Sequence, residues 1–472
     1  MKNKIDLTLR DVQQATQGKP VHISEKAKEK FIHNVIIDSR KVKPGDLFFA
    51  LRGERHDAHN FLEAVFQIPG TTAVVDRKWF DRQKALPDGQ LIVVQDTLQA
   101  LQNVSAFYRK KFSIPVLAIS GSNGKTTTKE MTAAVLKEKY RVIKNPGNLN
   151  NHIGLPLTLF DIDPRTEFAV VEMGANHFGE IARLCEIADP DLGLLTNVGG
   201  AHLEYFGSVE DVARAKGELF AHLLQKQGLG FVNRDDPLVR KIAGALPRKI
   251  SFGLAKEADI KGELMSVDGG GRAVFRVNGE TIHLRVVGIH QVSNALAATA
   301  VGLYAGLSIQ QIRSALESFS GVEKRMELLN LKDILVLNDT YNANLNSMEI
   351  GLKTLAHIRH QRGGRSFAVL ADMLELGEKS EEQHCLVGEI AAEMGIDFLL
   401  TFGKEARAIH KTALEKGLIH AFHFEEKEDL ENFLLAYLRG GDLVLVKGSR
   451  GMEMETIVQF LKDHYANHSS LK

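Results

Sequence analysis

The chain has 472 residues, enough for about two to four domains that fold without disulfide bonds. Lys plus Arg equals Asp plus Glu at 59 each, so no overall field attracts nucleic acid or an anionic membrane, and a phosphate site must be built locally. The two cysteines, Cys185 and Cys385, predict neither a disulfide framework nor a metal knuckle and indicate a reducing cytoplasm. No apolar run approaches the roughly 20 residues of a membrane span, and no export signal is expected.

Residues 1–96 alternate short apolar runs with turns and predict a first α/β domain. Strands are expected at 35–37 and 47–51, and a helix begins near Asp57. Ser39 and Arg40 follow the first of these strands, and Asp57 and His59 follow the second. Such polar groups could face a ligand, although the pattern alone favours a structural α/β segment.

Residues 97–320 predict a second domain. Apolar residues repeat at helical spacing from 96 to 112, which indicates a helix that leads into this domain. Strands alternating with helices then predict a doubly wound, mostly parallel sheet. The expected strands are 116–120, 140–144, 168–172, 192–198 and 230–233. Glycine-rich turns at 268–272 and 277–280 predict an antiparallel appendage, and an alanine-rich helix is expected over 293–306.

Residues 321–472 predict a third α/β domain, with buried strands at 334–338, 367–371, 398–402 and 443–446. The last strand runs into a second glycine-rich turn, 446–451. A plain strand-to-helix connection and an anion-binding turn both fit this segment.

The stretch 116–128 predicts a phosphate-binding loop. An apolar strand ends in a turn bounded by Gly121 and Gly124, and a helix follows. Backbone N–H groups and the helix N-terminus can cradle phosphates, Lys125 adds a full positive charge, and the Thr126 hydroxyl suits Mg²⁺. Ile119 stands where the usual pattern has its first glycine, so the loop is a shortened variant. The expected ligand is a nucleoside triphosphate.

Other polar residues follow predicted strands. Glu172 ends an apolar strand and can reach a phosphate-bound Mg²⁺, while a structural acid also fits the pattern. His202 follows the next strand, and its spacing favours an ordinary hydrogen-bonded histidine. Lys216 by spacing alone is a solvated helix lysine. Asparagine-rich segments at 148–156 and 338–344 are placed for a cleft beyond the carboxyl ends of strands.

Taken in order, these motifs resemble the Mur ligases, the ATP-dependent amide-bond-forming enzymes of peptidoglycan assembly, over essentially the whole chain. The matching positions are Gly121 to Thr126, Asn150 to Pro156, Glu172 to Asn176, Asn197 to His202, Lys216, Ser293 to Ala298, Arg325 and Asn338 to Asn344. Segments 172–181, 341–348 and 371–377 with His384 are similar to the members that add D-alanyl-D-alanine to UDP-N-acetylmuramoyl-tripeptide.

The resemblance implies an N-terminal domain for the uridine diphosphate sugar, a central ATPase domain and a C-terminal Rossmann-like domain. It also implies a role for each matching residue. The sugar-nucleotide set is Ser39, Arg40, Asp57 and His59; the ATP set is Gly121, Ser122, Asn123, Gly124, Lys125, Thr126, Thr127, Asn294, Arg325 and Asp339; and the catalytic set is Lys125, Glu172, His202, Lys216 and Arg325. Two Mg²⁺ ions are implied, one on Thr126 and Glu172 and one on His202 and Lys216, the lysine being carbamylated.

The implied substrates are ATP, UDP-N-acetylmuramoyl-tripeptide and D-alanyl-D-alanine, and a cytoplasmic monomer without nucleic-acid partners is expected. The chain departs from the family pattern at Ala58, Gln291, Lys324 and Leu345. A ligase of the same fold with another acceptor, such as the third-residue ligase or a folylpolyglutamate synthetase, is the main alternative. A nucleotide-driven motor on nucleic acid is disfavoured by the neutral charge balance.

Overall fold

The computed structural model describes residues 5–53, 56–85, 88–200 and 203–466. Within those ranges the protein is an α/β fold with mostly parallel sheets, and its strands form three sheets of five, nine and six members. No helix in the described ranges is long and apolar enough to cross a membrane.

The strands in chain order are β1 (Lys19–Val21), β2 (Val35–Ile36), β3 (Leu47–Phe49), β4 (Thr72–Asp76), β5 (Gln90–Val94), β6 (Val116–Ser120), β7 (Val142–Lys144), β8 (Phe168–Glu172), β9 (Leu192–Leu195), β10 (Leu229–Asn233), β11 (Lys249–Gly253), β12 (Ile260–Val267), β13 (Arg272–Val277), β14 (Glu280–Val287), β15 (Glu327–Leu331), β16 (Ile334–Asp339), β17 (Ser366–Ala371), β18 (Phe398–Phe402), β19 (Ala421–Phe424) and β20 (Leu443–Lys447).

The α-helices are α1 (Leu9–Thr16), α2 (Glu25–Lys28), α3 (Leu62–Phe66), α4 (Arg77–Phe80), α5 (Thr97–Arg109), α6 (Lys125–Lys137), α7 (Gly154–Leu159), α8 (Glu180–Ala188), α9 (Leu203–Phe206), α10 (Val209–Lys226), α11 (Pro237–Ile242), α12 (Gln291–Tyr304), α13 (Ile309–Ser318), α14 (Leu345–Arg362), α15 (Ser380–Glu393), α16 (Arg407–Glu415), α17 (Lys427–Tyr437) and α18 (Glu455–Ala466). Short 3₁₀ turns lie at Ser39–Lys41, Ala58–Phe61, Ala243–Ala245, Gly377–Lys379 and Arg450–Met452.

The chain divides into two compact units, and both are discontinuous. The first comprises Met1–Ala118, Tyr140–Ala175 and Gly179–Leu192, and the second comprises Ile119–Lys139, Asn176–Phe178 and Gly193–Lys472. The domain boundaries expected at 96/97 and 320/321 stay predictions.

The first unit contains a five-stranded sheet in the order β1-β5-β4-β3-β2. Strands β2 to β5 are parallel, and β1 joins the edge in antiparallel fashion. Every residue of β4 is buried, as expected for a central strand covered on both faces. Helix α5 begins after the cap Asp96, whose side chain accepts from the Gln99 N–H. In the same unit, β7 pairs in parallel with β8.

In the second unit, seven strands follow the order β14-β13-β12-β11-β10-β9-β6. The phosphate loop follows β6, and the appendage comprises β12 to β14. The pairs β10–β11 and β11–β12 are parallel, whereas β12–β13 and β13–β14 are antiparallel. The antiparallel appendage and its two hairpin turns are therefore confirmed. Helix α12 is almost entirely buried, in agreement with its alanine-rich composition.

A six-stranded sheet, β15-β16-β20-β17-β18-β19, completes the second unit. All its neighbouring pairs are parallel except β15–β16. Successive residues of one strand point to opposite faces, so Leu335 and Leu337 join one apolar cluster and Ile334 and Val336 join the other. Helices on both faces cover these clusters, which is the Rossmann-like arrangement that the resemblance implies.

Most predicted strands are confirmed to within two residues, and the end of one predicted strand was wrong. The strand expected over 192–198 ends at Leu195, because Thr196 and Asn197 turn their side chains to the phosphate loop. The helix expected near Asp57 is confirmed: Asp57 caps a 3₁₀ turn, Ala58–Phe61, which becomes α-helical at Leu62.

Candidate functional site

The phosphate loop lies between β6 and α6 and depends on its two glycines. Gly121 has φ +141° and Gly124 has φ +79°, a region that L side chains rarely adopt. A Cβ atom at Gly121 would lie 2.1 Å from Thr196 Oγ1, and one at Gly124 would lie 2.6 Å from Asn294 Oδ1. Backbone strain and close packing therefore both require glycine here.

The segment after β9 holds the loop in place. The Ser122 N–H donates to the Asn197 carbonyl at 2.9 Å, and the Asn123 N–H donates to Asn197 Oδ1 at 2.9 Å. Thr196 Oγ1 donates to the Asn123 carbonyl at 2.7 Å. The Ser122 hydroxyl donates to the Gly199 carbonyl and accepts from the Gly199 N–H, each at 2.9 Å. The loop is thus fixed by protein contacts.

Lys125 and Thr126 open helix α6. Lys125 Nζ donates to the Gly121 carbonyl at 2.7 Å and to the Ser122 carbonyl at 3.0 Å, so its ammonium group lies against the loop. Thr126 is 4% exposed, and its buried Oγ1 atom has no hydrogen-bond partner within the described ranges. Buried hydroxyls are normally paired, so this oxygen fits a metal ligand.

Asn294 lies beneath the loop on α12. Its Oδ1 accepts from Thr128 Oγ1 at 3.1 Å, and its Nδ2 donates to Gln291 Oε1 at 2.8 Å. The glutamine that departs from the family pattern thus orients Asn294. The contact between Asn294 and adenosine stays a prediction.

Glu172 belongs to the first unit, where it ends β8 and is 1% exposed. Its Oε1 accepts from Asn150 Nδ2 at 2.7 Å, and its backbone N–H donates to Asn145 Oδ1 at 2.8 Å. Asn145 Nδ2 also donates to the Glu172 carbonyl at 2.9 Å. Asn145 therefore fixes the backbone at Glu172, and Asn150 holds one oxygen of its carboxylate, a use of Asn150 that the sequence did not reveal.

The two remaining predicted metal ligands are His202 and Lys216. His202 lies outside the described residues. Lys216 is on α10 and is only 1% exposed, so the spacing-based prediction of a solvated lysine was wrong. Among the described residues, no group of three or more His, Cys, Asp and Glu side chains could hold a metal ion. This absence does not concern Lys216, because a carbamylated lysine is not one of these four residue types.

Asp339 and Lys447 form a buried ion pair at the carboxyl ends of β16 and β20. Lys447 Nζ donates to Asp339 Oδ2 at 2.6 Å and to the Asn342 carbonyl at 2.9 Å. Asp339 Oδ1 accepts from the Met326 N–H at 3.1 Å. The second glycine-rich turn thus begins with a lysine that is already paired, and sequence reasoning assigned Lys447 no role. The only feature of the sequence that pointed to Lys447 was its position at the end of an apolar strand.

The guanidinium groups of Arg325 and Arg450 both lie near the Tyr341 ring. The Arg325 guanidinium carbon is 3.8 Å from the Tyr341 ring centroid, and that of Arg450 is 5.6 Å away. Such cation–π contacts orient a guanidinium group without occupying its N–H donors. Arg325 therefore keeps donors for an anion, and its contact with phosphate stays a prediction.

The sugar-nucleotide residues lie in the first unit and differ in exposure. Arg40 is exposed and makes a two-pronged ion pair with Asp38, and these hydrogen bonds lower the pKa of Asp38 to about 2. Ser39 precedes Arg40 on the same 3₁₀ turn. The exposed guanidinium suits a diphosphate.

His59 is buried, and both its ring nitrogens have partners. Nδ1 donates to Asp57 Oδ1 at 2.6 Å, and Nε2 accepts from the Asp76 N–H at 3.1 Å. Burial alone would raise the pKa of Asp57, but hydrogen bonds from His59 lower it. His59 is thus placed to orient Asp57, the more exposed member of this pair.

Three family profiles match the chain. They are the Mur ligase family catalytic domain at residues 31–69, the Mur ligase middle domain at 119–302 and the Mur ligase glutamate ligase domain at 324–450. The UDP-N-acetylmuramoyl-tripeptide--D-alanyl-D-alanine ligase of Bacillus subtilis (strain 168) is 36% identical over 438 residues, covering 91% of this chain and 93% of that protein. The chain belongs to the Mur ligase family.

This Mur ligase is also similar to solved structures of the family. A crystal structure of MurF from Acinetobacter baumannii has a TM-score of 0.85 and 32% identity, covering 97% of this chain and 98% of that one. The MurF ligase of Thermotoga maritima, solved in complex with ADP, has a TM-score of 0.81 and 28% identity, covering 92% of this chain and 98% of that one. The α/β architecture with three domains is therefore confirmed.

Proposed function

We propose that this Mur ligase joins D-alanyl-D-alanine to UDP-N-acetylmuramoyl-tripeptide with ATP hydrolysis, in the cytoplasm and as a monomer. The product is the pentapeptide nucleotide used for peptidoglycan, and so for the cell wall. The observation that carries the proposal is the match to the B. subtilis ligase of that name across 91% of the chain. The glycine-dependent phosphate loop, fixed by protein contacts, supports its ATP-dependent part.

The reaction follows from the stability of a carboxylate, which an amine does not attack. The terminal carboxylate of the tripeptide first takes the γ-phosphoryl group, so that an oxygen–phosphorus bond forms and ADP leaves. The amine of the dipeptide then attacks the carbonyl carbon of this acyl phosphate. The carbon–oxygen bond to phosphate breaks, inorganic phosphate leaves, and the amine loses a proton. An α-amine with a pKa of roughly 7.7–8.0 is partly neutral at cellular pH.

The loop residues supply positioning and charge. Gly121 and Gly124 let the loop turn into α6, whose N-terminal backbone N–H groups would donate to phosphate oxygens and whose N-terminus adds partial positive charge. Lys125 would exchange its loop carbonyls for phosphate oxygens and stabilise the transferred group. Arg325 would add a second positive charge.

Mg²⁺ would neutralise phosphate charge and bring two anions together. The unpaired, buried Thr126 hydroxyl fits this ion. The roles that the resemblance implies for Glu172, His202 and a carbamylated Lys216 are part of this proposal, as is the sugar-nucleotide role of Ser39, Arg40, Asp57 and His59. Carbamylation converts a lysine amine to an anionic oxygen ligand, which a hard cation prefers.

The test is phosphate release with ATP, Mg²⁺, UDP-N-acetylmuramoyl-tripeptide and D-alanyl-D-alanine, omitting each in turn and measuring the product mass. Release that needs all four and yields the pentapeptide nucleotide is expected. The Lys125→Ala variant, with unchanged melting temperature, should lose release. Release that ignores the dipeptide, or that needs another amino acid, would overturn the acceptor assignment while leaving the ATP chemistry intact. Exchanging lysine for diaminopimelate in the tripeptide then identifies the preferred third residue.

A further inference from the structure

The side chain of Asn123 in the phosphate loop is bonded to the beginning of α14 in the C-terminal domain. Asn344 Nδ2 donates to Asn123 Oδ1 at 2.9 Å, and Asn123 Nδ2 donates to Asn346 Oδ1 at 3.2 Å. All three residues lie in the second unit. We call Asn123, Asn344 and Asn346 the amide clamp.

The orientation of the three amides follows from the helix cap. Asn344 is the N-cap of α14, and its Oδ1 accepts from the Ser347 N–H at 2.9 Å. Its Nδ2 must therefore be the atom facing Asn123, which places Oδ1 of Asn123 on that side. Asn123 then has only its Nδ2 group left for Asn346, whose oxygen must accept.

The opposite end of α14 is held by apolar packing. A Cβ atom at Gly271, in the β12–β13 hairpin, would lie 3.0 Å from Ile358 Cδ1 and 3.1 Å from Val287 Cγ1. Val287 and Ile358 belong to one buried cluster. The helix is thus in contact with the nucleotide-binding region at both ends, through apolar groups at one and amides at the other.

The contacts at the two ends of α14 differ in the free energy needed to break them. Separating Val287 from Ile358 exposes apolar surface to water. The amide bonds, one exposed and one part-buried, exchange with water at a smaller net cost. The amide clamp is therefore the end of α14 whose contacts with the nucleotide-binding region separate at the smaller cost.

We propose that the amide clamp fixes the conformation of the phosphate loop from the beginning of α14, with Asn344 and Asn346 as positioning residues for nucleotide binding. The backbone N–H of Asn123 donates to Asn197, and its carbonyl accepts from Thr196. With its amide also held by α14, every polar group of Asn123 has a hydrogen-bond partner. The inference rests on the proposed binding of ATP at this loop.

The first test compares two substitutions at exposed Asn346. Asn346→Ala removes the acceptor, whereas Asn346→Asp retains it and suits the first turn of a helix. Asn346→Ala should raise the KM for ATP about three- to tenfold, with little change in the KM for the dipeptide or in melting temperature. Asn346→Asp should stay near wild type. Equal effects of the two variants, or an unchanged KM for ATP in Asn346→Ala, would overturn the clamp.

The second test depends on the side-chain amide of Asn123, which has one donor group, Nδ2, and one acceptor atom, Oδ1. Asn344→Asp retains the helix cap, and rotation of the Asn123 and Asn346 amides can restore both bonds. The double variant Asn344→Asp/Asn346→Asp leaves Asn123 Oδ1 facing a carboxylate in either orientation. Its loss of ADP affinity, measured by calorimetry, should exceed the product of the single losses by about threefold or more. A loss equal to that product would overturn the clamp.

The wild-type protein separates this inference from the proposed function. If wild type binds ADP but forms no pentapeptide nucleotide, the acceptor assignment fails while the clamp comparison still stands on ADP affinity. If wild type forms product and the variants behave alike, the clamp fails and the proposed function stands.

Discussion

Lys447 on β20 and Asp339 on β16 are register partners on adjacent parallel strands, and their side chains meet at 2.6 Å with only 2% of the lysine and 14% of the aspartate side chain exposed. A buried pair of this kind gives little net stability, yet removing one partner leaves a charge that water cannot solvate. The pair therefore fixes the end of the sheet where the predicted adenosine contact lies.

Lys447→Met should lower the free energy of unfolding by about 3–5 kcal/mol, because Asp339 is left buried without its counter-ion. The double variant Asp339→Asn/Lys447→Met should recover most of that loss. Urea denaturation of the three proteins measures both effects. A cost below about 0.5 kcal/mol for Lys447→Met would contradict this account of the pair.

Gly124→Ala should abolish ADP binding, whereas Gly207→Ala should not. Both glycines have φ +79°, so each alanine pays a similar backbone strain of about 1–2 kcal/mol. The difference is the space around the new methyl group. At Gly124 it lies 2.6 Å from Asn294 Oδ1, while at Gly207 nothing lies within 4 Å.

Calorimetric titration with ADP and thermal unfolding distinguish the two effects. Both variants should have a lower melting temperature, and the loss should be larger in Gly124→Ala because of the added close contact. ADP binding should be lost in Gly124→Ala alone. If both variants bind ADP as wild type does, the close packing of Gly124 against Asn294 does not determine the conformation of the loop.

The sequence predicted the fold well because apolar runs bounded by turns identify buried strands, as at 168–172 and 398–402. It predicted the phosphate loop for a local reason: the strand, the turn and the helix are contiguous. It did not predict contacts made by tertiary packing. Asn123 meets Asn344 across 221 positions, and the polar residues around Lys216 give no sign of its burial. The family resemblance, rather than spacing, singled out Lys216.

The pKa of His290 is lowered from 6.5 to about 4, chiefly by burial, with Asp339 opposing the shift and Lys447 contributing to it. Because the folded pKa is the lower one, protonation favours the unfolded chain. The stabilising contribution is complete above pH 6.5 and is lost as the pH falls from 6.5 toward 4, by up to about 3 kcal/mol. Burial also lowers the pKa values of His410 and His423, which adds to this acid sensitivity.

His290→Gln should therefore reduce the dependence of stability on pH in that window. Urea denaturation at about pH 7 and about pH 4.5 gives the slope for wild type and variant. An identical slope in the two proteins would show that His290 does not titrate in this way.

Lys216→Met should abolish ligase activity while ADP still binds, if the lysine acts as a carbamate. Removal of dissolved CO₂ should lower wild-type activity, and bicarbonate should restore it. Lys129, fully buried on α6, is the matched control, because Lys129→Met also removes a buried amine. Activity of the Lys129 variant should respond to bicarbonate as wild type does. Full activity of wild type without CO₂ would contradict carbamylation.

Thr126→Ala should leave stability almost unchanged and remove the effect of Mg²⁺ on ADP affinity. The Thr126 Oγ1 atom has no partner in the described ranges, so deleting it breaks no hydrogen bond and removes an unsatisfied buried group. Thr126→Ser retains the hydroxyl and should keep the Mg²⁺ dependence. Calorimetric titration with ADP, with and without Mg²⁺, measures the ratio of affinities for each protein. A ratio in Thr126→Ala equal to that of Thr126→Ser would mean that this hydroxyl is not a metal ligand, and the unpaired oxygen would then need another explanation.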